Sequence, residues 1–315
     1  MKLEKNIYFI VNESSGRLHP DEFESLLKKM ISNDNNFIHI FKTEYPKHAI
    51  TLASDIASKI TQKEEAAVIC AVGGDGTLNE VLNGVRKISS SLVLAYIPTG
   101  SGNDFARSHS FSSSLEKNIE HVLYHSNEEI LDILHYENSE TKEVNYAINS
   151  IGVGLDGSTI QILENQHIKE KLQRFRLEDF SYIYSLLKAF FRQKPFAIEL
   201  DTENGKTIIS DAILVVFTNH PFFGGGINIS PKANPYSNDF GIVIARQLNF
   251  LQLLYLFALI LINGNHLHSK HVHYEETNLA HLHINTQQPA QKDGESFLHS
   301  TQLFMLNIEK QNFQL

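Results

Sequence analysis

The chain has a single cysteine, Cys70, in 315 residues. One thiol excludes an intramolecular disulfide framework, and its position inside an apolar run suits a small buried core residue in a reducing compartment. Cations are also scarce, with 27 Lys and Arg against 36 Asp and Glu, a formal charge of −9. That balance argues against a nucleic-acid partner, which needs clustered cations along the phosphates. It also argues against a membrane held mainly by a polybasic face. Long apolar runs are missing too. The greasiest stretch, Leu248–Ile262, is interrupted by Asn249, Gln252 and Tyr255, whereas a bilayer span needs about 20 apolar residues. It is therefore expected as a buried amphipathic helix. Met1–Asn12 is too short and too charged for a secretory leader, so a cytoplasmic location is expected.

What is present suits a globular protein, with hydrophobic residues at 42%, and the length fits one large domain or two ordinary ones. Short β runs at Ile7–Val11, Phe37–Phe41, Ala66–Val72 and Ser91–Ile97 alternate with helical spacing at Asp21–Ile31, His48–Ile60 and Leu78–Val85. Strands separated by helices imply βαβ units on a largely parallel sheet. Ser113-x-x-Glu116 reads as a capping box opening a further helix. After Glu129 strands dominate, from Ile130–Tyr136 to Leu303–Ile308, interrupted by helical patterns near Glu178–Phe191 and Leu248–Ile262. The expected organisation is an α/β domain over 1–130 and a mostly β domain over 131–315.

Two loops carry the chemistry. Gly73-Gly74-Asp75-Gly76-Thr77-Leu78-Asn79-Glu80 follows a buried strand and opens a helix. Its glycines let backbone N–H groups approach an anion, and the helix adds its positive end. Asp75 stands where a carboxylate can organise Mg²⁺ or water beside phosphates. The pattern is neither the dinucleotide fingerprint nor the Walker loop. Pro98-Thr99-Gly100-Ser101-Gly102-Asn103-Asp104-Phe105-Ala106 follows the next strand, so both loops should lie on one edge of the sheet.

These motifs resemble the diacylglycerol kinase catalytic family, which also contains sphingosine and ceramide kinases and soluble bacterial lipid kinases. Gly73 to Glu80 is similar to its GGDGTxNE signature. Pro98 to Ala106 is similar to its PxGTxNDxA loop, with Ser101 for threonine. Asn12-x-Ser14-Ser15-Gly16 and Thr43 resemble its other nucleotide contacts. Asp132, Asn149 to Asp156, and Gly224-Gly225-Gly226 through Ala233 resemble motifs of its second domain, and Asp293-Gly294-Glu295 its late DGE motif.

The resemblance implies a fold and a reaction. The N-terminal domain would be NAD-kinase/phosphofructokinase-like and the second sandwich-like. ATP with Mg²⁺ would be held by Asn12, Ser14, Ser15, Gly16, Thr43, Gly73, Gly74, Asp75, Gly76, Thr77, Asn79, Glu80, Ser101, Asn103 and Asp104, and Asp75 would act beside the reacting phosphates. Glu295 would take the proton from a lipid hydroxyl. The acceptor would be diacylglycerol, a sphingoid base or ceramide, presented by a membrane that the protein visits. Phe222, Phe223, the Phe175–Phe191 region and the helix near Leu251–Leu261 are candidates to line an apolar cleft, or are plain core. A homodimer is compatible with the apolar second domain.

One departure stands out. Ser237 and Asn238 occupy the family's metal-network Asp-Gly positions, so either Asp239 rescues a Mg²⁺ site or that metal is missing. His266, His268, His271, His273, His281 and His283 raise a zinc site as an alternative to solvated strand faces and a loop. The rivals to a lipid kinase are an NAD kinase, which shares GGDG chemistry, and a catalytically weak lipid- or nucleotide-binding regulator.

Overall fold

The computed structural model describes residues 5–13, 20–31, 37–125, 127–139, 141–165, 181–262, 264–298 and 303–315. They divide into two compact units, one of 1–131 with 310–315 and one of 132–309.

The first unit holds strands β1 (Asn6–Val11), β2 (Ile38–Lys42), β3 (Ala67–Gly73) and β4 (Val93–Pro98). Its helices are α1 (Pro20–Met30), α2 (His48–Lys63), α3 (Asp75–Arg86), α4 (Asp104–Ser108) and α5 (Leu115–Tyr124). All pairings among these strands are parallel, in the order β4-β3-β1-β2. Parallel strands carry helices on both faces, so β1 and β3 are apolar throughout rather than alternating. On one side Phe9, Val11, Cys70, Val72 and Ile97 pack with Phe23 and Leu27 of α1 and Ile119 and Val122 of α5. Burial pushes the Cys70 thiol well above its ordinary pKa, so it serves as core. α5 is capped by Ser114, whose hydroxyl accepts from Lys117 N. The expected box on Ser113 is one residue out of place, because Ser112 Oγ takes the Ser114 amide and fixes the entry turn.

The expected second domain ran to the C terminus, but the last six residues return to the first unit. Phe313 and Gln314 pair in parallel with Leu94 and Ala95. Phe313 is buried against Phe105, with ring centroids 5.4 Å apart. A terminal aromatic gains more by filling this hole than by ending in water.

The second unit is antiparallel. Its strands are β5 (Glu128–Asn138), which crosses the division, β6 (Val144–Ala147), β7 (Ser150–Gly154), β8 (Phe196–Thr202), β9 (Gly205–Thr218), β10 (Phe222–Phe223), β11 (Ile227–Asn228), β12 (Phe240–Arg246), β13 (Val272–Thr277), β14 (Leu279–Ile284), β15 (Pro289–Lys292), β16 (Glu295–Leu298) and β17 (Leu303–Gln314), which crosses it again. Its helices are α6 (Leu155–Glu164), α7 (Ser181–Phe190) and α8 (Phe250–Ile262). The 14-residue β9 is the hub: β8 pairs with its first half, β7 and β12 with its second. Inward residues including Leu200, Phe217, Phe240, Ile242, Leu282 and Leu306 form the core of a β-sandwich-like domain.

Two expectations fail in this unit. α8 is not buried: only Leu256 is inaccessible, while Leu251 and Ile262 are 74% and 78% exposed. A helix laid on a sheet buries one face, and α8 is apolar on both. His266 is not on a solvated loop. It is buried in a 3₁₀ turn, Asn265–His268, with Nε2 2.8 Å from the Ile229 carbonyl, and burial lowers its pKa. His281 and His283 do lie exposed on β14. Among the described residues no three His, Cys, Asp or Glu side chains converge as a metal cluster.

Two outcomes test this packing. A Cβ on Gly84 of α3 would meet the Ile50 carbonyl of α2 at 2.4 Å and the Ala53 methyl at 2.7 Å. Gly84→Ala should therefore destabilise the protein by about 1–3 kcal/mol in urea unfolding, and an unchanged midpoint would mean that the two helices are not in contact. The His109 ring lies tilted against Phe105 with centroids 4.5 Å apart, and burial lowers its pKa from 6.5 to about 4, with Glu129 opposing. The unfolded chain then takes the proton first. The stability that neutral His109 contributes is full above pH 6.5 and is lost as pH falls toward 4. His109→Asn should flatten that segment of the pH–stability curve, and an identical slope would show that the ring is not held neutral.

Candidate active site

The parallel register of the first unit aligns the strand ends. Val11 pairs with Lys42 and with Val72, and Gly73 with Pro98. Asn12, Thr43, the Gly73–Gly74 turn and the Thr99–Asp104 loop consequently share the C-terminal edge of the sheet, where α/β folds bind ligands. Asn12 donates its side-chain amide to Thr77 Oγ1 at 3.0 Å, and Thr43 donates its backbone N–H to the Val11 carbonyl at 2.9 Å. Ser14, Ser15 and Gly16 lie outside the described residues.

The two glycine loops are bolted together. Thr99 N and Gly100 N both donate to the Gly73 carbonyl, at 2.8 and 3.2 Å. A Cβ on Gly100 would lie 2.6 Å from the Gly74 Cα, so only glycine allows the crossing. Asn103, at φ +50°, donates to the Gly100 carbonyl at 2.7 Å. The Tyr96 hydroxyl reaches both the Gly73 carbonyl and Asn103 Oδ1. Burial, with Asp75 and Asp104 nearby, raises that phenol well above its usual pKa, so it stays a donor.

Asp75 closes the joint. Its Oδ2 accepts from Asp104 N at 2.9 Å and its Oδ1 from Phe105 N at 3.1 Å, which caps α4. Ser101 is exposed at the loop tip, while Asp104 is buried. Gly76 lies in the first turn of α3, whose early amides have no intrahelical acceptor and face the edge. Asn79 and Glu80 turn to the scaffold instead. Asn79 is buried and accepts from Asn83, and Glu80 accepts the Lys47 and Ala49 amides at the start of α2.

In the second unit a buried carboxylate organises another turn. Asp293, at φ +44°, accepts from the amides of Ile148, Asn149 and Ser150 at 2.7, 2.8 and 2.9 Å. Gln291 donates to Asp156 Oδ2 at 2.7 Å and accepts from Gly294 N at 2.8 Å. Glu295 thus leaves a rigid turn at the head of β16, half-buried, and the next residue is held by Glu164, which accepts from Ser296 N at 3.0 Å. Sequence reading quoted Asp293 only as a motif letter and missed Gln291 and Glu164. Each lies far along the chain from its partner, and no local pattern marks it.

The departing loop is tied to Asp132 by direct hydrogen bonds. Asp132 Oδ2 accepts directly from Asn238 N at 2.6 Å, and Asp132 N donates to the Pro235 carbonyl. Asp239, the possible Mg²⁺ ligand, accepts from the Ser237 hydroxyl. Among the described residues, neither Asp132 nor Asp239 belongs to a group of three or more His, Cys, Asp or Glu side chains that could hold a metal ion.

The second unit also contains an apolar cavity. It holds about 700 Å³ of non-atom space, part of it open solvent. Phe223, Ile213 and Val243 line it with Leu253, Leu256 and Phe257 of α8, and Asp156 and His266 are among its few polar neighbours. Phe223 and α8 are two of the elements expected to form an apolar cleft. Phe222 is not among its lining residues, and 175–180 lie outside the described residues.

Comparison with known proteins matches this architecture. Residues 6–134 match the diacylglycerol kinase catalytic domain, and 149–304 match the YegS C-terminal NAD kinase beta sandwich-like domain. YtlR of Bacillus subtilis (strain 168), named as a candidate lipid kinase, is 29% identical over 80% of this chain and 81% of its own length. A diacylglycerol kinase of the same organism is 24% identical over 92% and 90%. A crystal structure described as a diacylglycerol kinase from Bacillus anthracis str. Sterne shares the fold at TM-score 0.66 and 17% identity, covering 99% of this chain and 97% of that one. With both halves matched in order, the chain belongs to the diacylglycerol kinase catalytic family.

Proposed function

We propose that this protein is an ATP-dependent lipid kinase acting on diacylglycerol or a related lipid alcohol. The apolar cavity carries the lipid half of this reading: lipophilic pockets suit acyl chains, while a dinucleotide acceptor needs polar lining. ATP binds at the sheet edge of the first unit, where the joined loops and the α3 N-terminus offer backbone amides to its phosphates. Mg²⁺ arrives as the ATP chelate, part of the substrate.

Phosphoryl transfer needs positioning and charge neutralisation more than covalent help. The lipid oxygen attacks the γ-phosphorus, the bond to the β,γ-bridging oxygen breaks, and ADP leaves. The hydroxyl proton passes to Glu295, the general base of this reading. Asp75 holds the nucleotide loops in register through the α4 amides.

Turnover tests the proposal. Purified protein with labelled ATP, Mg²⁺ and a panel of diacylglycerol, sphingosine, ceramide, a polyprenol and NAD should label a lipid. Label on NAD alone would refute the lipid assignment, and binding without transfer would favour the regulator. Glu295→Gln should lower kcat by about 10²–10⁴ with an unchanged melting curve, and full turnover would assign the proton to another group. Ala245 lines the cavity, so Ala245→Leu should raise KM for long-chain diacylglycerol more than for a short-chain one. Equal effects would place the acyl chain elsewhere.

A further inference from the structure

α8 is an unusual helix for a chain of net charge −9. Residues 247–269 contain no Asp, Glu, Lys or Arg. At 100° per residue the helix has two opposed apolar faces. Leu253, Leu256, Phe257 and Ile260 form one and line the cavity. Leu251, Leu254, Tyr255, Leu261 and Ile262 form the other, and all five are exposed, from 45% to 78%. A two-faced apolar helix normally lies inside a protein or against lipid.

The outer face does not end with the helix. Phe250 stacks on Phe191, beyond the end of α7, at 5.6 Å, and Phe191 is itself exposed. Ile183 and Tyr184 of α7 are also exposed. Within the two segments that carry this surface the charges share one sign. In 181–195 they are Lys188, Arg192 and Lys194, and in 246–271 they are Arg246 and Lys270. Arg246 is paired with Asp211 at 2.8 Å. Lys188 sits 5.9 Å from the Tyr184 ring, and Lys270 lines one groove with Leu251 and Tyr255. Aliphatic and aromatic side chains flanked in sequence by cations are the composition of a segment lying in the headgroup plane of an anionic bilayer. Two copies of this surface would instead bring like charges together.

We infer that the outer face of α8, with Phe191 and the flanking Lys188, Arg192 and Lys270, seats the protein on an anionic lipid bilayer. The inference rests on the lipid-kinase reading for its purpose and names the surface that substrate comes from. At 13 residues α8 is about 20 Å long, too short to cross a bilayer core of about 30 Å, so it lies in the interface. A lipid leaving that plane then meets the cavity on the other side of the same helix.

Vesicle flotation of the full chain tests this. Wild type should float with phosphatidylcholine vesicles containing phosphatidylglycerol more than with phosphatidylcholine alone. Combined Leu251→Gln, Leu261→Gln and Ile262→Gln should lower binding to the anionic vesicles by about tenfold or more. Combined Lys188→Gln, Arg192→Gln and Lys270→Gln should erase the preference between the two vesicles, as high salt should. The substituted apolar side chains are exposed and outside the cavity lining, so melting curves should match wild type. Turnover of a short-chain lipid in detergent should persist in the apolar variant, with loss confined to vesicle-presented lipid. Wild type that floats with neither vesicle, or an apolar variant that floats undiminished, overturns the inference. So does a variant that turns a dimer into a monomer by light scattering while binding vesicles normally. Flotation without phosphorylation of any lipid would instead sink the kinase reading and leave the docking surface standing.

Discussion

One carboxylate joins the two loops that define the first unit. Asp75 belongs to the turn after β3, yet both its oxygens serve the amides that begin α4, after the next strand. An ionised acceptor is stronger than a neutral one for backbone N–H groups, so a single side chain welds two glycine-rich turns whose own backbones would otherwise roam. The close approach of Gly100 to Gly74, the left-handed Asn103 and the Tyr96 hydroxyl all lie beside that weld. The second unit solves the same problem in the same way. Asp293 gathers three consecutive amides and fixes the turn from which Glu295 departs.

Much of this was legible in the chain. Unbroken apolar runs such as Ala67–Val72 mark strands buried on both faces, and their alternation with helical spacing leaves parallel βαβ winding as the economical answer. The glycine turns were legible because they combine backbone freedom with Asp and Asn at strand ends. The departure at Ser237 and Asn238 was also visible, and the structure ties that loop to Asp132 through the Asn238 backbone N–H.

What was not legible depended on tertiary partners. Ser113 and Ser114 are chemically alike, and only the Ser112 hydroxyl decides which of them caps α5. Phe313 looks like any strand residue until its hole beside Phe105 is known. Composition said α8 is apolar but could not say what stands against it, and burial was the reasonable default for so greasy a segment. His266 erred the other way. A histidine-rich stretch suggests solvent, yet the Ile229 carbonyl offers this ring a partner that makes burial tolerable.

The two units thus divide the physics of the proposed reaction. Phosphates need rigid, polar, preorganised donors, which favours short turns clamped by carboxylates and aligned at a sheet edge. A lipid needs an apolar volume and a route out of the bilayer, which helices laid over a sandwich can supply. α8 satisfies both lipid requirements at once, because its inner face makes the cavity wall and its outer face shows no charge to water. A soluble enzyme that kept such a face bare would risk aggregation. Cations at its border favour a surface of opposite charge over another copy of the chain, and on the proposed reading that surface is the phase that would hold the substrate.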